Sequence, residues 1–121
     1  MIFGIGNDIV EIARIRSSVE KIGQSFLDRI FSSVEQSYCR KFKDPFPSLA
    51  ARFCAKEAVS KALGTGIGEA LAFLDIEVTH NKKGQPFIIL SEKAKIRFSN
   101  PKIHISLSHC KEYAMAVAIV S

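Results

Sequence analysis

Apolar side chains recur at every third or fourth position through the middle of the chain, the spacing that places them on one face of an α-helix. The members of this stripe are Ala51, Ala55, Val59 and Ala62. Their small size favours close packing, so we expect this face to lie in the core. The segment lacks interior Pro and Gly, which predicts a helix over residues 52–64 that is capped by Ser48 and ends at Gly64.

Hydrophobic spacing also predicts the other elements. Helices are expected over residues 10–22, 26–31, 34–42 and 92–98, and strands over residues 2–10, 73–79, 87–90, 103–108 and 113–120. The stretch from Asp44 to Pro47 should break the chain before the central helix. This order predicts an α+β fold, a single domain over residues 1–121 in which a small antiparallel sheet packs with helices.

The composition fits one such domain, because 121 residues with 47% hydrophobic side chains can bury one core. No apolar run reaches the roughly 20 residues that cross a bilayer, and no signal peptide is recognisable, so we expect no membrane partner. The three cysteines lack metal-ligand spacing, which favours a reduced, cytoplasmic setting. The 17 Lys and Arg outnumber the 12 Asp and Glu, which favours an anionic partner: nucleic acid, an acidic protein or a phosphorylated small molecule.

One carboxylate near the start of the chain lies in an apolar context. Asp8 falls between Ile5 and Ile9, and a carboxylate buried there is costly without a partner. It therefore binds a cation, reaches solvent or caps the next helix, with Glu11 completing a capping box. Its position alone favours the cap and a metal site equally.

A second face of the central helix carries charge. One stripe is Phe53, Glu57 and Lys61, and the neighbouring stripe is Arg52, Lys56 and Ser60. A solvated Glu57–Lys61 pair would contribute only a few tenths of a kcal/mol. Three cations around one carboxylate instead suit a site where a phosphate meets a metal ion, although Lys56, about 100° around the helix from Glu57, need not point at it.

Two short motifs resemble those of the 4'-phosphopantetheinyl transferases. The first is Ile5-Gly6-Asn7-Asp8, in which Asn7 stands where Thr is expected. The second is Phe53-Cys54-Ala55-Lys56-Glu57-Ala58-Val59-Ser60-Lys61, matched at every fixed position. About 45 residues separate them. With Ser106-Leu107-Ser108-His109 near the C-terminus, nearly the whole chain resembles the holo-acyl-carrier-protein synthase branch of that family.

The resemblance implies transfer of the phosphopantetheine arm of coenzyme A to a serine of apo acyl carrier protein, with release of adenosine 3',5'-bisphosphate. It implies that Asp8 and Glu57 bind Mg²⁺ and that Lys61 completes the catalytic set. The chemistry agrees, because attack on a pyrophosphate needs alignment and charge neutralisation, and Mg²⁺ prefers one or two carboxylates with phosphate and water oxygens. Either Glu57 or a metal-activated water would accept the serine proton.

The resemblance also implies contacts outside the catalytic set. The residues expected to bind coenzyme A are Arg52, Lys61, Gly84, Pro86, Ser108 and His109. The residues expected to receive the acidic carrier protein are Arg14, Arg16, Lys21 and Arg29. The family likeness further implies a homotrimer with its sites between subunits.

Two other functions use part of the same pattern. A Mg²⁺-dependent nuclease or phosphodiesterase recruits further clustered carboxylates, which the sequence lacks. A nucleic-acid-binding module should interleave aromatic and basic residues, whereas the nine Phe fit a core. Both fit less well than the transferase, so we expect no nucleic-acid partner. Cys54 and Cys110 show no complete Cys-His-acid pattern and are expected to be incidental.

Overall fold

A long central helix lies against a three-stranded antiparallel sheet in the computed structural model, which describes residues 1–121. The helices are α1 (Ile12–Ile22), α2 (Gln24–Ile30), α3 (Ser33–Cys39), α4 (Phe46–Ala62) and α5 (Glu92–Arg97). The strands are β1 (Gly4–Glu11), β2 (Ile76–His80), β3 (Pro86–Leu90), β4 (Ile103–His109) and β5 (Tyr113–Val120). The main sheet has the order β1-β5-β4, and β2 pairs with β3 in a separate antiparallel hairpin. The predicted α+β fold is confirmed.

Small residues let the sheet approach α4 closely. Ala114, Ala116 and Ala118 of β5 are fully buried, and all four members of the small-residue stripe of α4 are buried, so the prediction that this stripe lies in the core is confirmed. Gly6 of β1 shows how close the approach is, because a Cβ atom there would overlap the carbonyl oxygen of Ala58. Backbone therefore meets backbone where β1 crosses the helix.

The alternation of β1 decides which of its side chains face α4. Gly6 is buried and Asp8 is partly buried on the helix side, whereas Ile5, Asn7 and Ile9 are exposed on the outer face. Asp8 pairs with Ala116 of β5, in the middle of the strand. The register of β1 thus turns the carboxylate of Asp8 toward α4.

Two helix boundaries differ from the prediction. The first helix begins at Ile12 rather than at residue 10, because β1 stays paired with β5 through Glu11. The central helix begins at Phe46, before the predicted start, because Pro is tolerated in the first helical turn. Ser48 therefore lies inside α4 and does not cap it; its hydroxyl accepts a hydrogen bond from Arg52.

The predicted alternation from residue 73 onward is wrong at its start. Residues Phe73–Asp75 form a 3-10 turn, and the strand begins only at Ile76. Leu74 is consequently exposed, whereas Asp75 is buried and accepts hydrogen bonds from the Ala72 backbone and the Ser91 hydroxyl. Tertiary hydrogen bonds to a carboxylate have overridden the local hydrophobic pattern.

Other predicted boundaries agree more closely with the structure. Ser32 caps α3 in a capping box with Glu35, and Ser91 caps α5 by accepting from the backbone N–H of Ala94. Both hairpins are present, β2 with β3 and β4 with β5. No helix combines the length and the apolar character that crossing a membrane requires.

A fully buried ion pair joins α4 to the elements around it. The Lys56 ammonium donates to Glu35 Oε1 at 2.7 Å, to the carbonyl of Ile30 at 2.6 Å and to the carbonyl of Phe73 at 3.3 Å. Neither charged side chain is exposed to solvent. Lys56 thus points away from Glu57, as its position about 100° around the helix allows, and it is not one of the cations beside that carboxylate.

The carboxylate of this pair is fully hydrogen-bonded as well. Glu35 Oε1 accepts from the backbone N–H of Ser32, and Oε2 accepts from that of Val78, both at 2.8 Å. The pair therefore holds the α2–α3 turn and β2 against α4. Burial lowers the pKa of Lys56, and the charge of Glu35 opposes this shift.

Replacing Lys56 with Met should lower the free energy of unfolding by about 3–5 kcal/mol, because Glu35 would stay buried without its cation. Urea denaturation of the wild type and the variant measures this difference. The double variant Lys56→Met/Glu35→Met should regain part of the loss, since no unpaired charge remains. A single variant as stable as the wild type would contradict this role of the pair.

Candidate active site

β1 and α4 bring Asp8, Glu57 and Lys61 to one place. The Lys61 ammonium donates to the carbonyl of Asn7 at 3.0 Å and to Asp8 Oδ1 at 3.3 Å. The side chain of Lys61 is half exposed, whereas that of Asp8 is 18% exposed. Glu57 lies one helical turn before Lys61 on the same face of α4. The three residues proposed as a catalytic set therefore meet, although Lys61 pairs with Asp8 rather than with Glu57.

Asp8 and Glu57 line a cleft of about 340 Å³, here called the carboxylate cleft. Its polar lining is Asp8, Glu57, Arg14 and Ser18, and its apolar lining is Ile9, Val10, Ile15, Phe26 and Phe53. The cleft thus combines two carboxylates and an arginine with an apolar wall. A charged group and an alkyl chain of one substrate can both find complementary surface there.

The two carboxylates oppose each other's charge. Partial burial raises the pKa of Glu57, the negative charge of Asp8 raises it further, and the positive charge of Lys61 lowers it. A cation between the two carboxylates would relieve this repulsion. The alternative that Asp8 caps a helix is wrong, because Asp8 lies inside β1 and the residue that precedes α1 is Glu11, which makes no side-chain cap.

The donor set of the carboxylate cleft fits Mg²⁺. Nowhere do three or more His, Cys, Asp or Glu side chains group as metal ligands, so a closed all-protein site is absent. Mg²⁺ is commonly held by one or two carboxylates and completes its octahedron with water and substrate phosphate oxygens. Two carboxylates at the edge of an open cleft match that pattern, and the extra carboxylates of a two-metal nuclease are missing.

A second cleft, of about 390 Å³, holds Arg52 and His109 and is here called the arginine cleft. Arg52 is 3% exposed, and its Nη1 donates to the Ser48 hydroxyl at 2.7 Å. Its Nη2 lies 3.1 Å from His80 Nδ1, and its Nε is buried without a hydrogen-bond partner. Arg52 is therefore an anchored cation with unused hydrogen-bonding capacity, at a cleft separate from Glu57.

The other residues predicted to bind coenzyme A lie apart from the carboxylates. Gly84 occupies the β2–β3 turn with φ +85°, and Pro86 is the first residue of β3; neither lines either cleft. Ser108 and His109 end β4, where they border a depression that also contains Ile9. Within one chain, Lys61 is the one predicted coenzyme residue that contacts Asp8; the others do not line the carboxylate cleft.

The basic residues of α1 face two directions. Arg14 is exposed at the carboxylate cleft, and Lys21, two turns further along α1, shares its side of the helix. Arg16 instead forms an ion pair with Asp44 at 3.0 Å and lies over the ring of Phe46. Arg16 therefore lies on a different side of α1 from Arg14 and Lys21, because two residues correspond to about 200° around the helix. Arg29 of α2 is exposed.

The cysteines are free thiols, and the buried ones are unsuited to act as nucleophiles. Burial raises the pKa of Cys54 to about 12, with the charge of Asp8 adding to the effect. Burial also raises the pKa of Cys39. Cys110 is exposed at the turn after β4. The neutral thiol of Cys54, beside the carboxylates, agrees with the prediction that it is incidental.

Sequence reasoning did not single out His80 and Tyr38, which also line the arginine cleft. Their rings stack with centroids 4.6 Å apart. The one available signal was the alternation of β2, which turns His80 to the same side as the buried Ile76 and Val78. That pattern alone predicts a partly buried histidine but not its partner.

Comparison with known proteins points to one family. The family model described as the 4'-phosphopantetheinyl transferase superfamily matches residues 4–118. A holo-[acyl-carrier-protein] synthase of Protochlamydia amoebophila is 48% identical over 121 residues, which are 100% of this chain and 99% of that protein.

Two solved structures share the fold. Helicobacter pylori holo-[acyl-carrier-protein] synthase in complex with coenzyme A superposes with a TM-score of 0.89 at 42% identity, covering 97% of this chain and 99% of that one. The corresponding structure from Neisseria meningitidis gives a TM-score of 0.93 at 33% identity, covering 100% and 99%. The chain therefore belongs to the holo-[acyl-carrier-protein] synthases of the 4'-phosphopantetheinyl transferase superfamily.

Proposed function

We propose that the carboxylate cleft is where this chain carries out the reaction of its family, the transfer of the 4'-phosphopantetheine group from coenzyme A to a serine of apo acyl carrier protein. The observation that carries the assignment is that Asp8 and Glu57 line one cleft and that Lys61, one helical turn after Glu57, donates a hydrogen bond to Asp8. The product is the holo carrier protein used in fatty acid biosynthesis.

Asp8 and Glu57 are the protein ligands for Mg²⁺ in this proposal. When bound, the ion supplies charge neutralisation at the pyrophosphate of coenzyme A. Burial is the main cause of the raised pKa of Glu57 and the negative charge of Asp8 adds to it, so a divalent cation beside the two carboxylates would stabilise their charged forms. The two side chains come from a strand and a helix whose backbones touch, so their separation is held by the fold.

The transfer exchanges one P–O bond for another. The serine oxygen of the carrier protein bonds to the phosphorus next to the pantetheine arm, and the bond from that phosphorus to the bridging oxygen breaks. The serine gives up its proton to Glu57 or to a water in the carboxylate cleft, and the leaving group is adenosine 3',5'-bisphosphate, which takes the bridging oxygen and its electron pair. Lys61 is half exposed and anchored at Asp8, so its ammonium is close enough to the cleft to offset charge on the leaving phosphate.

We assign the arginine cleft to the phosphates and adenosine of coenzyme A. Arg52 is fixed there with an unpartnered Nε, and His109 lies at the rim. The complex of the Helicobacter pylori relative with coenzyme A supports a coenzyme site on this fold. Ser108, Gly84 and Pro86 remain coenzyme contacts by family likeness.

A homotrimer would explain why the two sets of site residues lie apart. The carboxylate cleft and the arginine cleft share no residue, and a neighbouring subunit could place one cleft beside the other. The outer face of the main sheet is apolar and open: Ile5 is 68% exposed, Ile9 65% and Met115 42%. Such a face is typical of a protein–protein contact.

The exposed cations beside the carboxylate cleft suit an acidic carrier protein. Arg14, Lys21 and Arg29 remain in this group, whereas Arg16 is engaged with Asp44. Charges at such a rim mainly orient the partner and speed its encounter. We also propose that residues 1–121 act as one domain, and the free thiols Cys39 and Cys54 support a cytoplasmic location.

The transfer reaction can be tested directly by intact-mass spectrometry of apo acyl carrier protein incubated with this protein, coenzyme A and Mg²⁺. We expect a mass gain of one phosphopantetheine group. The gain should disappear with EDTA and fall by about a hundredfold or more in rate with Glu57→Gln, since one metal ligand is lost. If several folded carrier proteins all stay unmodified with the wild type, the proposed function is wrong.

The docking surface can be tested with Lys21→Glu, which lies outside the carboxylate cleft. We expect the KM for the carrier protein to rise about tenfold at low salt and the difference to shrink as salt is added, because the attraction is electrostatic. Arg97→Glu on α5 is the matched control, with the same change of charge elsewhere on the surface. Equal effects of the two variants would argue against a docking site at α1.

Mixing two impaired variants tests whether sites form between subunits. Asp8→Asn damages the carboxylate cleft, and His109→Glu places negative charge at the arginine cleft. In randomly mixed trimers, about a quarter of the sites pair the intact carboxylate cleft of a His109→Glu subunit with the intact arginine cleft of an Asp8→Asn neighbour. Activity should therefore rise toward about a quarter of the wild-type value. Activity no higher than the mean of the separate variants, or a protein that sediments as a monomer while active, would contradict shared sites.

A further inference from the structure

Arg52 in the arginine cleft is held on three sides. Its Nη1 donates to the Ser48 hydroxyl at 2.7 Å, and its Nη2 lies 3.1 Å from His80 Nδ1. The guanidinium carbon is 4.3 Å from the centroid of the Tyr38 ring. The His80 ring also stacks on Tyr38, with an angle of 11° between the two planes. Histidine and arginine are thus packed against the same aromatic ring.

The contact with Arg52 determines the protonation of His80. A guanidinium has only donors, so the imidazole nitrogen that faces it must accept. Nη2 of Arg52 lies 3.1 Å from Nδ1 and 3.5 Å from Nε2 of His80, and we assign the nearer nitrogen, Nδ1, as the acceptor, which leaves the proton on Nε2 of a neutral ring. A protonated imidazole has no acceptor and would place a second positive charge beside Arg52.

We propose that His80 is a positioning residue for coenzyme A: its neutral ring fixes the Arg52 guanidinium in the arginine cleft, and its protonation weakens the binding of the anionic coenzyme. The inference rests on the proposed function of the arginine cleft as the coenzyme phosphate site. His80 acts through Arg52, which makes the direct contact with phosphate.

The charged surroundings favour the neutral ring at physiological pH. Partial burial lowers the pKa of His80, and the positive charge of Arg52 on α4 lowers it further. Lys41, which follows α3, lies 5.7 Å from the Tyr38 ring and adds positive charge. Asp44 and His109 line the same cleft. Because the pKa lies below its ordinary range, His80 becomes charged only as the pH falls below about 6.5.

The test separates the hydrogen bond from the aromatic stack. His80→Phe keeps a ring on Tyr38 but removes the acceptor, whereas His80→Asn keeps a neutral acceptor at the place of Nδ1 and cannot be protonated. His104→Asn, at an exposed position of β4, controls for loss of a histidine elsewhere. Calorimetry measures the dissociation constant of adenosine 3',5'-bisphosphate in EDTA, and transfer kinetics give separate KM values for coenzyme A and carrier protein.

At about pH 7.5 we expect His80→Phe to weaken nucleotide binding about tenfold and to raise the KM for coenzyme A alone, while His80→Asn stays within about threefold of wild type. On lowering the pH to about 5, the wild type should lose about tenfold more affinity than His80→Asn, because only the wild type becomes charged. His104→Asn should follow the wild type throughout. The nucleotide and His109 are the same in both experiments, so they do not contribute to the difference in pH dependence between the wild type and His80→Asn.

Nitrogen NMR of His80 in the wild-type protein measures the tautomer of its ring directly, so this test does not depend on whether a variant folds. We expect the neutral tautomer with the proton on Nε2 at about pH 7.5. A proton on Nδ1, wild-type nucleotide affinity in His80→Phe, or parallel pH profiles for the wild type and His80→Asn would overturn the inference. Failure of the wild type to transfer phosphopantetheine at all would instead overturn the proposed function.

Discussion

The buried ion pair between Lys56 and Glu35 is the interaction on which the rest of the structure depends. Lys56 joins α4 to the carbonyl of Ile30 and to Glu35, near the turn between α2 and α3. Glu35 in turn accepts a hydrogen bond from Val78 of β2. Two charges removed from water are tolerable only because each is hydrogen-bonded on several sides. The next residue along the helix is Glu57, so a step of about 100° separates a fully buried charge from a carboxylate that lines an open cleft.

The helix α4 also distributes chemistry between two clefts. Glu57 lines the carboxylate cleft and Lys61 contacts β1 beside it, whereas Arg52 reaches the arginine cleft beside β2 and β4. One rigid element therefore fixes the direction of both sets of polar groups. In the homotrimer proposed above, each α4 would thereby contribute to two sites, one at each of its clefts.

Much of this design is predictable from local periodicity. The strand period places Asp8 with Gly6, and the helix period aligns Glu57 with Lys61, so the meeting of the three residues follows once β1 is known to cross α4. Periodicity does not reveal which side chains, far apart in the sequence, form hydrogen bonds with each other. Glu35 lies 21 residues from Lys56, and His80 lies 28 from Arg52. The 3-10 turn at residues 73–75 was not predicted for the same reason. Its carboxylate, that of Asp75, accepts a hydrogen bond from Ser91, which lies outside the segment.

The close contact of β1 with α4 limits how this segment can evolve. Gly6 and Asp8 face the helix because they are two residues apart in a strand. Loss or gain of one residue between them would turn the carboxylate to the outer face of the sheet while leaving the composition almost unchanged. Residues whose side chains point outward can therefore be substituted, as Asn7 in place of the expected Thr illustrates. An insertion or deletion of one residue is not tolerated, because it would reverse which side chains face α4.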